Sequence, residues 1–380
     1  MFFLLYKYYL SLKMKKIFNV LLLSFLIFSL NGFTQEIDSL VFKTDRLLEF
    51  GIKSEAYPGA QVLIFKNDTI RLNKTYGFQT YDSLVPIEKH HLYDLASVTK
   101  ILASTLAFMK LYELYNLNLD QKVATYVPSL KRSNKKNSSL REVLSHSGGW
   151  EPYIAHQNLV FNKRGRFKTR TISYKQNKKF PLQISDSLFI HKKYFKKIYR
   201  RIRKTKLNNL GEYRYSGLWF FLLPEITKQL SGSSFSEFLQ TYFYTPLKTE
   251  RLGFLPSKKY SKSEIVPTEN DSIFRKQLVQ GWVHDEAAAM MGGISGNAGL
   301  FSNAASLKPL LQMLLQNGNY NGKQYLKPET IKKFTQRSYP NSNNRRGLGF
   351  DKPSIDPESN YPSLLASPSS YGHSGFTGTF

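Results

Sequence analysis

Read by the spacing of its apolar positions, the chain opens its folded part with short, strand-like runs. Pro58-Gly59-Ala60 leads into Gln61-Val62-Leu63-Ile64-Phe65-Lys66, and Asn67-Asp68 separates this run from Thr69-Ile70-Arg71-Leu72. Two such runs around a turn pair predict a β-hairpin. The period then lengthens. From Ala96 to Tyr115, Val98, Ile101, Leu102, Leu106, Met109 and Leu114 recur at helical spacing, which predicts a buried helix. The chain reads as mostly helix and loop through about Leu230, with further helical patterns at Phe235 to Phe243, Ser306 to Gln316 and Pro328 to Gln336. β character returns only around Tyr371 to Phe380. Strands at both ends with helices between them predict an α/β (α+β) sheet domain completed by both termini, together with an inserted helical domain. No internal repeat or low-complexity linker interrupts it.

A different pattern precedes the hairpin. Lys7, Lys13, Lys15 and Lys16 come before the apolar run Ile17 to Leu30, which gives way to Asn31-Gly32-Phe33-Thr34-Gln35. That order reads as a secretory signal over residues 1–35. The run is shorter than the roughly 20 residues of a spanning helix and is broken by Asn19, Ser24 and Ser29, which argues against a retained anchor. Met14, followed at once by Lys15-Lys16, opens a better-proportioned leader than Met1. The mature domain is therefore expected over 36–380, in the periplasm or outside the cell.

Composition narrows the class. Of 380 residues, 41% are hydrophobic and 21% charged, enough to bury a core and too few charges for a disordered polyelectrolyte. The absence of cysteine excludes disulfides, thiolate nucleophiles, zinc ribbons, iron–sulfur clusters and a lipidated cysteine, without excluding export. The net charge of +27 is concentrated. Between Lys163 and Lys206 seventeen Lys and Arg face a single acid, Asp186, so a basic insertion is expected at about 162–206. It reads either as a solvated insertion or as a face for peripheral contact with a polyanion such as an anionic envelope polymer. Export, and the lack of any helix-turn-helix, RNP or zinc-finger signature, argue against nucleic acid.

Chemistry is suggested first by Ser97-Val98-Thr99-Lys100, where the apolar helix begins. Three residues is nearly one turn, so the hydroxyl and the ammonium share a face, as a nucleophile and its proton acceptor would. The pattern alone is weak, since it recurs at Ser133-Asn134-Lys135-Lys136 in a polar stretch that reads as a loop. Context separates the two copies. Tyr213-Arg214-Tyr215-Ser216-Gly217 precedes the apolar run Leu218 to Leu223, and Tyr371-Gly372-His373-Ser374-Gly375-Phe376-Thr377-Gly378-Thr379 lies in the late β-like segment. In this order the three elements resemble those of the serine β-lactamase-related and penicillin-recognising hydrolases, namely class C-like enzymes, DD-peptidases and esterases. Arg141 to Gly149, Tyr244-Thr245-Pro246-Leu247 and Gly292 to Ser302 resemble further stretches of that family, so the likeness runs from Pro58 to the last residue.

The resemblance implies a β-lactamase/transpeptidase-like fold, an antiparallel sheet flanked by helices with an inserted all-helical subdomain. It implies Ser97 as acylated nucleophile, with Lys100 and Tyr215 sharing the proton relay. His373 would line the cleft and help hold a substrate carboxylate or the Tyr215 proton. Ser374, Gly375 and Phe376 would continue the substrate-binding edge, with the N–H groups of Ser97 and Phe376 meeting the oxyanion. It implies no cofactor and no metal; His146, His284 and Asp285 lack paired-ligand spacing and read as structural hydrogen-bonding residues. The implied protein is a monomeric, secreted serine hydrolase acting on a small ester, a cell-wall peptide amide or a β-lactam. Slow β-lactam turnover is expected, because no base for deacylation is evident. The alternative is an inert relative that binds cell-wall peptide or an anionic polymer. Two departures motivate it. Gly217 stands where the family has Asn or Asp, with Ser216 a weak substitute. The chain also stops at Phe380, where the family continues through two strands and a helix, which leads to the expectation of a truncated carboxy-terminal part.

Overall fold

The computed structural model describes residues 39–356 and 358–378. The leader expected over 1–35 lies outside them, as do Thr379 and Phe380. The chain divides into two units, Met1–Glu88 and Lys89–Phe380.

In the first unit a helix over 39–53 precedes the expected hairpin, whose strands Gly59–Lys66 and Thr69–Gly77 pair antiparallel from Gly59 opposite Gly77 to Lys66 opposite Thr69. Asn67 and Asp68 adopt φ of 48° and 66°, the two-residue turn whose twist matches the strands it joins. Gly59 is required by close approach, since a Cβ there would lie 2.4 Å from the Phe78 carbonyl oxygen. The helix is tied to the hairpin by Asp45, whose Oδ1 accepts from Lys74 Nζ and Tyr76 Oη, both at 2.7 Å.

The second unit is built around the apolar helix. It begins with a 3-10 turn, Ala96–Val98, widens into a π-helical turn, Lys100–Thr105, and continues as α-helix over Leu106–Tyr115. Val98, Ile101, Leu102, Leu106 and Met109 are buried as their spacing predicts, whereas Leu114 is 43% exposed. The cause is that the helix is surrounded as far as Leu111 and emerges in its last turn. A three-stranded antiparallel sheet, with Leu300–Ser302 between Tyr93–Asp94 and Leu252–Phe254, covers its beginning. Helices Leu223–Ser231, Phe235–Leu239 and Pro328–Thr335 pack around the rest. Their starts are written locally. Ser234 and Glu237 form a reciprocal capping box, and Pro328 occupies a first-turn position where its missing N–H costs nothing.

Two expectations need correction. The inserted region is not all-helical, because Ile172–Ser173, Leu182–Gln183 and Phe189–Ile190 form a small antiparallel sheet with Phe189–Ile190 in the middle. The helix Tyr194–Lys204 follows it and buries the stripe Tyr194, Ile198 and Ile202. The strand expected at the carboxy terminus is reduced, over the described residues, to isolated bridge positions at Gly372, which pairs with Asp351, and at Ser374. The second Ser-x-x-Lys copy does lie in a turn. Lys136 is exposed, and it is Lys135 that is buried, with Nζ donating to the Thr205 carbonyl at 2.5 Å.

Candidate active site

Ser97 stands where a short strand becomes the central helix. Asp94 ends that strand, and its buried carboxylate organises the turn. Oδ1 accepts the Ala96 N–H at 2.8 Å, and Oδ2 accepts the His284 N–H at 2.6 Å. Ala96 is thereby held at φ 45°, a conformation that residues other than glycine seldom adopt. Burial pushes the Asp94 carboxyl up to about 6, against the pull of those two N–H groups.

One turn on, Lys100 is 3% exposed, and its Nζ donates to Ser97 Oγ at 2.8 Å and to the Asn297 carbonyl at 2.9 Å. The stretch that supplies this carbonyl lies directly on the helix. Ser104 Oγ donates to the Gly296 carbonyl at 2.7 Å, and a Cβ on Gly296 would sit 2.2 Å from the Phe220 carbonyl oxygen. The π-helical turn thus opens where the loop seats itself, as such turns often do at functional positions.

Tyr215 closes the group, with Lys100 Nζ 5.4 Å from its ring centre. Its ring lies 4.6 Å from that of His146 and 5.9 Å from that of His373, centre to centre. Burial pushes the phenol up, but the Lys100 charge, the nearby Ser97 hydroxyl and the Arg346 charge outweigh it and bring Tyr215 below its ordinary value of 10. The flanking backbone is pinned. Ser216 N–H donates to His146 Nδ1 at 3.1 Å, and Gly217 N–H donates to the Pro152 carbonyl at 3.2 Å. Ser216 does not substitute for the side chain missing at Gly217, because its hydroxyl donates to the Glu151 carbonyl at 2.6 Å. A Cβ built on Gly217 would have Lys100 Cε as its nearest neighbour, at 3.8 Å.

His373 is buried, with Nδ1 2.6 Å from the Ser374 carbonyl, so that nitrogen carries the proton and Nε2 presents a lone pair. Burial, reinforced by Arg346 and Lys100, pushes it down to about 3. Gly375 runs against the turn before Ser97, where a Cβ would lie 2.8 Å from the Leu95 carbonyl oxygen, and Ser374 is exposed beside it. The Phe376 ring is exposed on one face and stacks on His284 with the other, at 4.2 Å between centres. Ser97, Lys100, Tyr215 and His373 therefore converge, with 374–376 alongside. His146 and Asp285 are engaged in structural hydrogen bonds, Asp285 Oδ1 capping a helix through the Ala288 N–H at 2.7 Å. Among the described residues no group of three His, Asp or Glu side chains could hold a metal.

Sequence reasoning missed Asp94, Asn297 and Arg346. Asn297 contributes a carbonyl, which any residue has. Arg346 reaches Tyr215 from more than a hundred residues away, its guanidinium carbon 5.9 Å from the ring centre.

Comparison with known proteins adds an independent line. Residues 44–380 match the family described as Beta-lactamase. A protein of Escherichia coli (strain K12) named "Putative D-alanyl-D-alanine carboxypeptidase" is 30% identical over 350 residues, covering 85% of this chain and 74% of its own. Among solved structures, the octameric penicillin-binding protein homologue from Pyrococcus abyssi superposes with a TM-score of 0.62 at 20% identity, over 88% of this chain and 68% of its own. EstCE1, described as a hydrolase with promiscuous acyltransferase activity, does so with a TM-score of 0.57 at 17% identity, over 88% and 83%.

Proposed function

The chain belongs to the beta-lactamase family, and from that premise we propose that it is an exported serine hydrolase that cleaves a D-alanyl-D-alanine-type peptide amide or a small ester through an acyl-Ser97 intermediate. One observation carries the reading: Lys100 Nζ lies 2.8 Å from Ser97 Oγ and 5.4 Å from the centre of the Tyr215 ring. Tyr215 as phenolate, beside the Lys100 ammonium, takes the Ser97 proton as the Oγ–carbonyl bond forms. The N–H groups of Ser97 and Phe376 meet the developing oxyanion. Collapse breaks the amide or ester bond, Tyr215 returns its proton to the leaving group, and water repeats the sequence on the acyl-enzyme. The relative named for D-alanyl-D-alanine carboxypeptidase activity supports the peptide as substrate.

Gly217 favours a second reading, an inert relative that binds without turnover, because it offers no side-chain hydrogen bond toward Lys100 or substrate. Turnover separates the two. The protein is expected to release D-alanine from a peptide ending in D-alanyl-D-alanine and to hydrolyse small activated esters. Both activities should fall by about a thousandfold or more in Ser97→Ala. Efficient nitrocefin hydrolysis with no ester or peptide cleavage would contradict this substrate choice, and no cleavage of any kind would favour the inert reading.

A further inference from the structure

Arg346 is fully buried next to the reacting group, and the reaction as drawn does not use it. Its loop is stitched to the one that carries His146. Asn344 Nδ2 donates to the Ser145 carbonyl at 3.0 Å, Asn344 Oδ1 accepts the Arg346 N–H at 2.9 Å, and the Gly349 N–H donates to the Leu144 carbonyl at 2.8 Å. The guanidinium is anchored by Nη2 on the Gly349 carbonyl at 2.8 Å and by Nη1 on Asp351 Oδ2 at 3.1 Å. It cannot swing away from Tyr215.

Asp351 would cancel this charge if it belonged to Arg346 alone, but it is shared. Arg345 contacts both of its oxygens, at 2.9 and 3.2 Å, and Tyr361 Oη donates to it at 2.8 Å. Two guanidinium groups against one carboxylate leave one net positive charge behind the Tyr215 ring.

The titratable and charged groups facing Tyr215 are Lys100 from the central helix, His146 from the loop after Leu140–Leu144, His373 from the carboxy-terminal segment, and Arg346. Neither histidine is suited to be a cation. His146 Nδ1 accepts a backbone N–H, and His373 Nε2, buried, has no hydrogen-bond partner among the described residues that could receive a second proton's bond. Burial, with the nearby charges, holds both far below the ordinary histidine value.

We propose that Arg346 is a positioning residue that supplies, in place of His373, the second positive charge beside the Tyr215 phenolate, and thereby sets the pH at which Ser97 can be acylated. This rests on the acyl-serine reading above. Two readouts test it: the acid limb of the pH profile for Ser97 acylation by a fluorophosphonate, and the tyrosinate absorbance of each variant minus that of its Tyr215→Phe counterpart. Arg346→Met should move both midpoints up by about one pH unit, the low end of what an opposite charge at this range does. Arg346→Lys should restore most of the shift. Arg345→Met, which leaves Asp351 to neutralise Arg346, should move both in the same direction and serves if Arg346→Met does not fold. His373→Gln should leave the midpoints in place whatever it does to the rate. Unmoved midpoints in Arg346→Met or in Arg345→Met, or a shift in His373→Gln, would overturn the proposal. If the parent protein is never acylated, the functional reading fails, while the absorbance titration still reports whether Arg346 acts on Tyr215.

Discussion

Gly217 leaves one side of Lys100 open, and that opening can be filled. Its φ is not positive, and the nearest atom to an added Cβ lies at an ordinary contact distance, so neither backbone strain nor overlap opposes a side chain. An Asn there would set a carboxamide beside Lys100 and the acyl group of a substrate. A hydrogen bond to a charged group contributes about 1.5–3 kcal/mol, and about 1.4 kcal/mol is tenfold in rate. Gly217→Asn is therefore expected to fold as the parent does and to raise kcat/KM for a D-alanyl-D-alanine peptide by about tenfold or more. An unchanged kcat/KM in a folded variant would show that the side chain is not what limits this site. At the same scale, part of the site was legible and part was not. Ser97 and Lys100 announce themselves because one helical turn is a local relation. Arg346 does not, because its approach to Tyr215 depends on two loops meeting, and no spacing along the chain encodes that.

Elements show the same division. The hairpin and the central helix were legible because each repeats its apolar period several times within a few turns or strands. The sheet inside the basic segment was not, since strands of two residues such as Ile172–Ser173 contain no period to read. The helix that follows clarifies the charge. Tyr194, Ile198 and Ile202 bury one narrow stripe, which leaves Lys192, Lys193, Lys196, Lys197 and Arg200 exposed. Arg201 is not part of that face, because its Nη1 is turned to His156 Nδ1 at 3.2 Å and donates to Tyr194 Oη at 3.0 Å. The one acid of the segment, Asp186, is engaged by Lys262 Nζ at 2.7 Å and by Trp282 Nε1 at 2.8 Å. We propose that the exposed lysines and arginine contact an anionic polymer. Retention on an anionic resin should weaken steeply between about 50 and 200 mM salt. Replacing Lys193, Lys196, Lys197 and Arg200 together by Gln should abolish retention while leaving Tm unchanged. Salt-insensitive retention, or retention that survives the four substitutions, would refute this.

For the molecule as a whole, buried histidines predict how stability responds to acid. Burial, aided by Arg201, pushes His156 down to about 4; His373 is held at about 3, and His146 lies well below 6.5. Once unfolded, each regains its ordinary value near 6.5, so between that pH and about 4 the unfolded chain binds protons that the folded one refuses. Stability is therefore lost as pH falls through that window, by up to about 1.4 kcal/mol per unit for each group. His284, which Glu269 raises despite its burial, gains its stability above that window; within it the Asp94 carboxyl, pushed up to about 6, and the Glu286 carboxyl, also raised by burial, work the other way, two groups against three. Tm should drop as pH is lowered from about 6.5 to 4, and His156→Gln should flatten the slope; a Tm constant across that window would mean that these rings are not neutral and enclosed in solution. The central claim concerns Ser97, and it has a direct measurement. After the folded protein is incubated with a fluorescent penicillin or a fluorophosphonate, peptide mass spectrometry should find one adduct, on Ser97, that is absent from Ser97→Ala and formed far more slowly in Lys100→Ala. An adduct on Ser133 or another serine, or none on a protein shown to be folded, would contradict the account.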